Sequence, residues 1–337
     1  MRIFVLAAAA AAFAPCSAIH AQEAPPARTP ISIGDYPSVN GLRLNFRDGR
    51  VGRVNGVNIT LWSPYEDAAE TIKGVALGLP VTGGAEIDGI ATGLLGVGAS
   101  GRIRGVTLAP IGAGAGSDIS GIAIGGVGLG TGGRLTGLVI GGVGAGAGGD
   151  MKGIIIGGVG TGGGGNATGL LAGGVGAGVG GDIHGIVVGG VGAGVGGSIH
   201  GIAIGGVGTG AGGDLIGLAL AGVGIGAGGS IRGVAIAGIG AGAPEISGGF
   251  AALAVGARDA RGVILAPALF RIERGGSFRG GSVSAVNYIR GSQTGVTIGL
   301  VNYTRSLDGI QIGVLNIVGD AKSHQVMPVV NWGSGKN

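Results

Sequence analysis

The chain has 337 residues, of which 87 are glycine and 45% are hydrophobic, with a formal net charge of +4. Glycine at this level without a strict Gly-X-Y period excludes collagen, and the apolar content excludes a disordered polar linker. The basic residues are scattered, which argues against a nucleic-acid surface.

In chain order, residues 1–21 read as a secretory signal. Arg2 supplies the positive region, Ile3 to Ala14 the apolar run, and Ala18-Ile19-His20-Ala21 a cleavage site after Ala21. The run is short for a bilayer span. Cys16, the single cysteine, lies inside it, so the mature chain is expected to hold neither a disulfide nor a thiol nucleophile. The expected location is therefore outside the cytoplasm: cell surface, outer membrane, extracellular space or periplasm. Residues 22–40 carry Pro25, Pro26, Pro30 and Pro37 and read as an exposed leader.

From there the chain repeats. Glycines open successive units at Gly89, Gly105, Gly121, Gly137, Gly153, Gly169, Gly185, Gly201, Gly217, Gly233 and Gly249, 16 residues apart without an insertion. Degenerate units precede them in 41–88, from Gly41, Gly56 and Gly74. Others follow in 250–332, from Gly262, Gly280, Gly295, Gly309 and finally His324, leaving 333–337 as a tail. Each central unit has a β-branched, alternating half such as Asp182 to Val188, which predicts a strand with Ile186 and Val188 on one face. The other half, Val191 to Gly196, alternates side chain with glycine. A helix is excluded, because each interior glycine costs about 1 kcal/mol relative to alanine. Repeated over eleven units, so much glycine suggests that Cβ atoms do not fit, at corners needing positive φ or where backbones approach closely.

The expected fold is all-β: a glycine-rich β-solenoid with 16-residue rungs and capping ends. About nineteen rungs at about 4.8 Å would make a rod of roughly 90 Å. An antiparallel β-meander or barrel is the alternative. The corner residue is Asp118, Arg134, Asp150, Asn166, Asp182, Ser198, Asp214 and Ser230, so Asp recurs every 32 residues for most of the array. A solenoid would thereby keep like charges two rungs apart; a meander would place them at every second turn. No aromatic residue occurs between Tyr65 and Phe250, and the larger side chains beyond suit caps over open rungs. Asn287, Asn302, Asn316 and Asn331 read either as a side-chain ladder along stacked rungs or as separate turn residues.

The last units, GVTIGLVNY from Gly295 to Tyr303 and GIQIGVLNI from Gly309 to Ile317, resemble bacterial surface-repeat proteins of the leptospiral type. VMPVVNW, from Val326 to Trp332, resembles the usual ending of that family, and GLRLNF at Gly41 and GVALGLP at Gly74 resemble its opening units. The central array is richer in glycine than the family pattern. The resemblance implies an exported bacterial protein at the cell surface and assigns no activity to particular residues.

Other motifs reduce to the repeat. Gly192 to Gly197 spells a GxGxxG string, but no helix follows to form a dinucleotide site. Gly333-Ser334-Gly335-Lys336 lacks the first glycine and the helix of a phosphate loop. His184 and His200 stand one period apart, with Thr168 and Ile216 in the flanking units, as at a variable surface position. One Asp per 32 residues is too sparse for a calcium ladder.

No residue is assigned a catalytic, cofactor-binding or metal-ligating role, and no cofactor or small-molecule substrate is expected. The expected function is a non-enzymatic structural or adhesive surface protein presenting a long regular β face. Its partner would be a surface ligand or a second copy, with membrane association left open. Two alternatives are a flat-face binder of ice or carbohydrate, for which Thr131, Thr161 and Thr209 are sporadic, and an outer-membrane β-barrel.

Overall fold

The computed structural model describes residues 30–49, 52–64, 70–319 and 324–334. The signal segment with Cys16, leader residues 22–29 and tail residues 335–337 lie outside the described residues.

All regular structure among the described residues is β-strand. Strand Ile183–Gly189 pairs in parallel with Ala167–Gly173 on one side and Ile199–Gly205 on the other. The short strand Gly192–Val195 does the same with Gly176–Val179 and Gly208–Ala211. Gly185 lies beside Gly169 and Gly201, so each residue meets its equivalent one repeat away. Parallel pairing at this offset makes the chain coil: a β-solenoid of stacked rungs with a spacing of about 16 residues. A meander or a transmembrane barrel requires antiparallel neighbours, so both of those alternatives are set aside.

The strand alternation decides what is inside. Ile183 and Val187 point into the rung and are buried, as are Ala193 and Val195 from the short strand. Stacked over the array they form one continuous core of Ile, Leu, Val and Ala. Volume is traded within a rung: Met151 fills the space at Gly163, where an added Cβ would lie 2.9 Å from its Sδ. Ile186 and Val188, which share a face as expected, are on the outside instead.

Glycine serves two different purposes. Gly185 has φ +139, and a Cβ there would lie 2.1 Å from the Gly169 carbonyl oxygen of the preceding rung. The same contact recurs in a column from Gly41 to Gly309. Here the steric reading holds. Gly194, on the outer side of the short strand, is different: no atom lies within 4 Å of an added Cβ. Nothing within the chain forbids a side chain there, so the steric reading is corrected at this position.

Rung length departs from 16 at the ends. Gly41 pairs with Gly56, and Gly56 with Gly74. Gly233 pairs with Gly248, which has φ +126, while Gly249 pairs with Val234 in the outward column. The unit therefore opens at Gly248 and not at Gly249. The cause is a shortened corner. The path from Gly226 to Ser230 is matched in the next rung by Gly242 to Glu245, with Pro244 replacing the paired glycines.

Both ends are closed differently from the middle. At the N-terminal end, Ile31–Ile33 pairs with Leu42–Leu44 and Ser38 begins the next strand, so the last part of the expected leader belongs to the sheet. At the C-terminal end, His324–Ser334 pairs antiparallel with the extended segment Ala254–Gly319. HQVMPVVN is thus a reversed covering strand and not a final rung. Phe250, Phe270 and Phe278 are buried in the C-terminal core, the last two edge to face at 4.9 Å.

Candidate functional site

Three surfaces and two buried polar clusters are the parts of this rod that the repeat does not explain by packing alone. The first surface is apolar. The outward position after the kink glycine is Ile90, Val106, Ile122, Leu138, Ile154, Leu170, Ile186, Ile202, Leu218 and Val234 in successive rungs. Two residues on, the next outward column runs Leu108, Ile124, Ile140, Ile156, Ala172, Val188, Ile204, Leu220 and Ile236. At the adjoining corner a third column, from Leu95 through Val143, Val175 and Val207 to Ile239, is joined rung to rung by main-chain hydrogen bonds. Its valines are about half exposed, Val175 at 50%. None of the three columns carries a charge over this length. A water-facing ribbon of large aliphatic side chains this long is well beyond the patches usual on a monomer.

The second surface is polar and lies on the other side of the kink glycine. Its corner residues form a zipper. Asp118, Asp150 and Asp182 each accept the backbone N–H of the equivalent residue in the next rung, at 2.8, 2.8 and 2.7 Å. Asn166 and Ser198 do the same for Asp182 and Asp214. Hydrogen bonds from Arg134 to Asp118, and from Ser230 to Asp214, hold those two carboxylates below their ordinary pKa. Asp, Asn and Ser are interchangeable here because each offers an oxygen to an otherwise unpaired N–H. His184 and His200 stack in parallel at 4.7 Å in the neighbouring column. Together with Lys152 and Thr168, His184 edges a shallow groove above the zipper.

The third surface is the bare outer side of the short strands, where Gly192 and Gly194 face out. Of the threonines that could have formed a ladder, Thr161 and Thr209 are buried, and the half-buried Thr131 donates its hydroxyl to the Ser117 carbonyl. These three threonines form no exposed ladder among the described residues.

The C-terminal polar cluster contains the asparagine series. Asn287 Nδ2 donates to Asn302 Oδ1 at 2.7 Å, and Asn302 Nδ2 donates to Asn316 Oδ1 at 2.8 Å. These three form a ladder inside the coil, the first of the two readings of the series. Asn331 does not continue it. The strand reversal sets Asn331 opposite Gln311, while the amide of Asn316 is satisfied by the Met327 carbonyl. Gln311 in turn donates to Gln293, a parallel glutamine contact absent from the sequence expectations.

The N-terminal cluster was also missed. Arg43 is fully buried and donates to Asp48 at 2.7 Å, to Glu70 at 2.5 Å and to Asn58 at 2.7 Å. Thr60 and Asn45 complete the shell around Asp48. Burial, reinforced by the Asp48 charge, pushes the Glu70 carboxyl up to about 8. The available signal was parity. In GLRLNF, Arg43 occupies the inward phase between the outward Leu42 and Leu44, and an inward charge demands buried partners.

Both clusters invert the usual arrangement, with polar groups inside and Leu, Ile or Val outside. Comparison with protein-family profiles, with curated proteins and with solved structures gave no match.

Proposed function

We propose that this chain is a non-enzymatic, exported structural or adhesive protein of a bacterial cell surface, and that its working part is the outward β face. The observation that carries this reading is the aliphatic ribbon, uncharged from Ile90 to Val234 and on to Leu265. Packing does not require it, since the core is already complete without these residues. A surface of one chemistry repeated at every rung suits contact with an extended partner better than recognition of a small molecule. The carboxyl groups of Asp48 and Glu70 are fully buried and held by Arg43, which leaves them no contact with a substrate and favours a non-catalytic role. The apolar run at the N-terminus and the motif from Gly295 to Ile317 support export and surface location.

The test is protease shaving of intact bacterial cells that express the full chain, followed by immunodetection with antibodies against the polar face. Loss of the signal from intact cells, with a cytoplasmic marker retained, is the expected result. A chain protected until the cells are lysed, and recovered with cytoplasmic proteins, would overturn the proposal.

A further inference from the structure

We propose that the aliphatic ribbon is a self-association surface, on which a second copy of this chain packs face to face. This deepens the functional reading above and rests on it. Three observations lead to a second copy as the occupant.

The first is area. The ten rungs from Ile90 to Val234 extend about 48 Å at a rung spacing of about 4.8 Å. Two outward columns, each two residues wide at about 3.3 Å per residue, give a width of about 13 Å and a face of roughly 600 Å². The corner column from Leu95 to Ile239 adds about half as much again. A stable interface takes roughly 800 Å² from each partner, so the ribbon alone is large enough.

The second is period. Side chains recur at the rung spacing along the whole ribbon, and only a surface with the same repeat can seat them in register over that length. A second copy has that repeat by construction.

The third is charge. The ribbon holds no charge to desolvate. Beside it, the polar edge carries both signs: Asp118, Arg134, Asp150, Asp182 and Asp214 lie in the corner column, and Arg104, Lys152 and Arg232 in the column next to it. Two copies can pair such edges with each other. A purely lipid partner would instead draw on a uniformly cationic border facing anionic headgroups, whereas here the corner aspartates offset Arg104, Lys152 and Arg232.

The test is sedimentation velocity on the purified full chain from nanomolar to micromolar concentration, with circular dichroism as a fold check. The double variant Ile154→Lys/Ile186→Lys places two charges in the middle of the ribbon. The wild type is expected to form a reversible dimer or larger species. The double variant should raise the dissociation constant about 100-fold or more, because the charges would be buried unpaired. Should that variant lose its β signal, Val159→Asp at the corner tests the same face outside the paired strands. Gly194→Ser, on the bare glycine side, should leave association unchanged. A wild type that is monomeric at every concentration overturns the proposal, as does association insensitive to the ribbon variants. Flotation of a monomeric chain with phosphatidylcholine vesicles would assign the ribbon to lipid and overturn it too. Protease shaving reports location independently, so a surface-exposed monomer defeats this inference alone.

Discussion

Replacing Gly185 and Gly194 in turn by alanine tests the central physical claim, that one chain uses glycine for two unrelated reasons. At Gly185 the new Cβ would lie 2.1 Å from the Gly169 carbonyl oxygen and 3.0 Å from its carbon and nitrogen, with φ at +139. The backbone conformation costs about 1–3 kcal/mol for an L-residue. Relieving the overlap moves a paired strand and costs a further 1–3 kcal/mol or so. Reduced freedom of the unfolded chain returns about 0.4–1 kcal/mol. The net expectation is destabilisation of roughly 2–5 kcal/mol. At Gly194 nothing lies within 4 Å of the new atom and φ is not positive. Only the unfolded-state effect remains, so Gly194→Ala should stabilise by about 0.4–1 kcal/mol. Urea unfolding followed by circular dichroism reads both, through the midpoint at constant slope. Opposite signs are expected. If Gly185→Ala shifts the midpoint no more than Gly194→Ala, the stacked-carbonyl explanation of the repeat is wrong.

Further predictions follow from the buried polar groups and the rungs. Asn302→Leu removes bonds to Asn287, Asn316 and the Ile312 carbonyl, leaving buried groups unpaired. It should cost about 2–4 kcal/mol, and a melting temperature equal to wild type would refute the ladder. Glu70 has its folded pKa raised to about 8 from 4.5, so its contribution is full below pH 4.5, where both states are protonated. Between those values the unfolded chain ionises while the folded one holds the proton, and the stability is lost by the time pH passes 8. Wild-type stability should therefore fall from pH 5 to pH 8 more steeply than that of Glu70→Gln, by on the order of 3 kcal/mol; parallel profiles would refute the shift. Deleting residues 137–168 joins Thr136 to Gly169 in unchanged register. Scattering should find a folded rod about 10 Å shorter. Deleting 137–144 breaks the rung, and equal thermal stability of the two deletions would refute the repeat.

The repeat itself was legible in the sequence because glycine, β-branched residues and a fixed period act locally. They exclude helix and set strand halves and corners, and they favour stacking, while the parallel pairing of the rungs is what rules out the meander and the barrel. The parity of Ile183 and Val187 against Ile186 and Val188 was also written in the alternation, but which parity faces inward was not. Both sets are aliphatic, and local pattern cannot rank two apolar faces. Only closure of the coil decides it, through the glycine kink and the short strand that packs behind Ile183. The same limit explains Gly248 against Gly249, where adjacent glycines look alike until the shortened corner at Pro244 sets the register. It explains Asn331, whose spacing fits a ladder but whose strand runs backwards.

Arg43, Asp48 and Glu70 show the other boundary. They are 5 and 27 residues apart from Arg43, in a stretch without regular period, and long-range electrostatic partners leave no local trace. The sequence alone therefore determined the building unit, its period and most of the glycines that stand at the kink, all governed by near-neighbour sterics. The tertiary structure decided which aliphatic columns meet water, which polar groups are sealed inside and how each end is closed. Those outcomes depend on chain segments that come together only when the coil has formed.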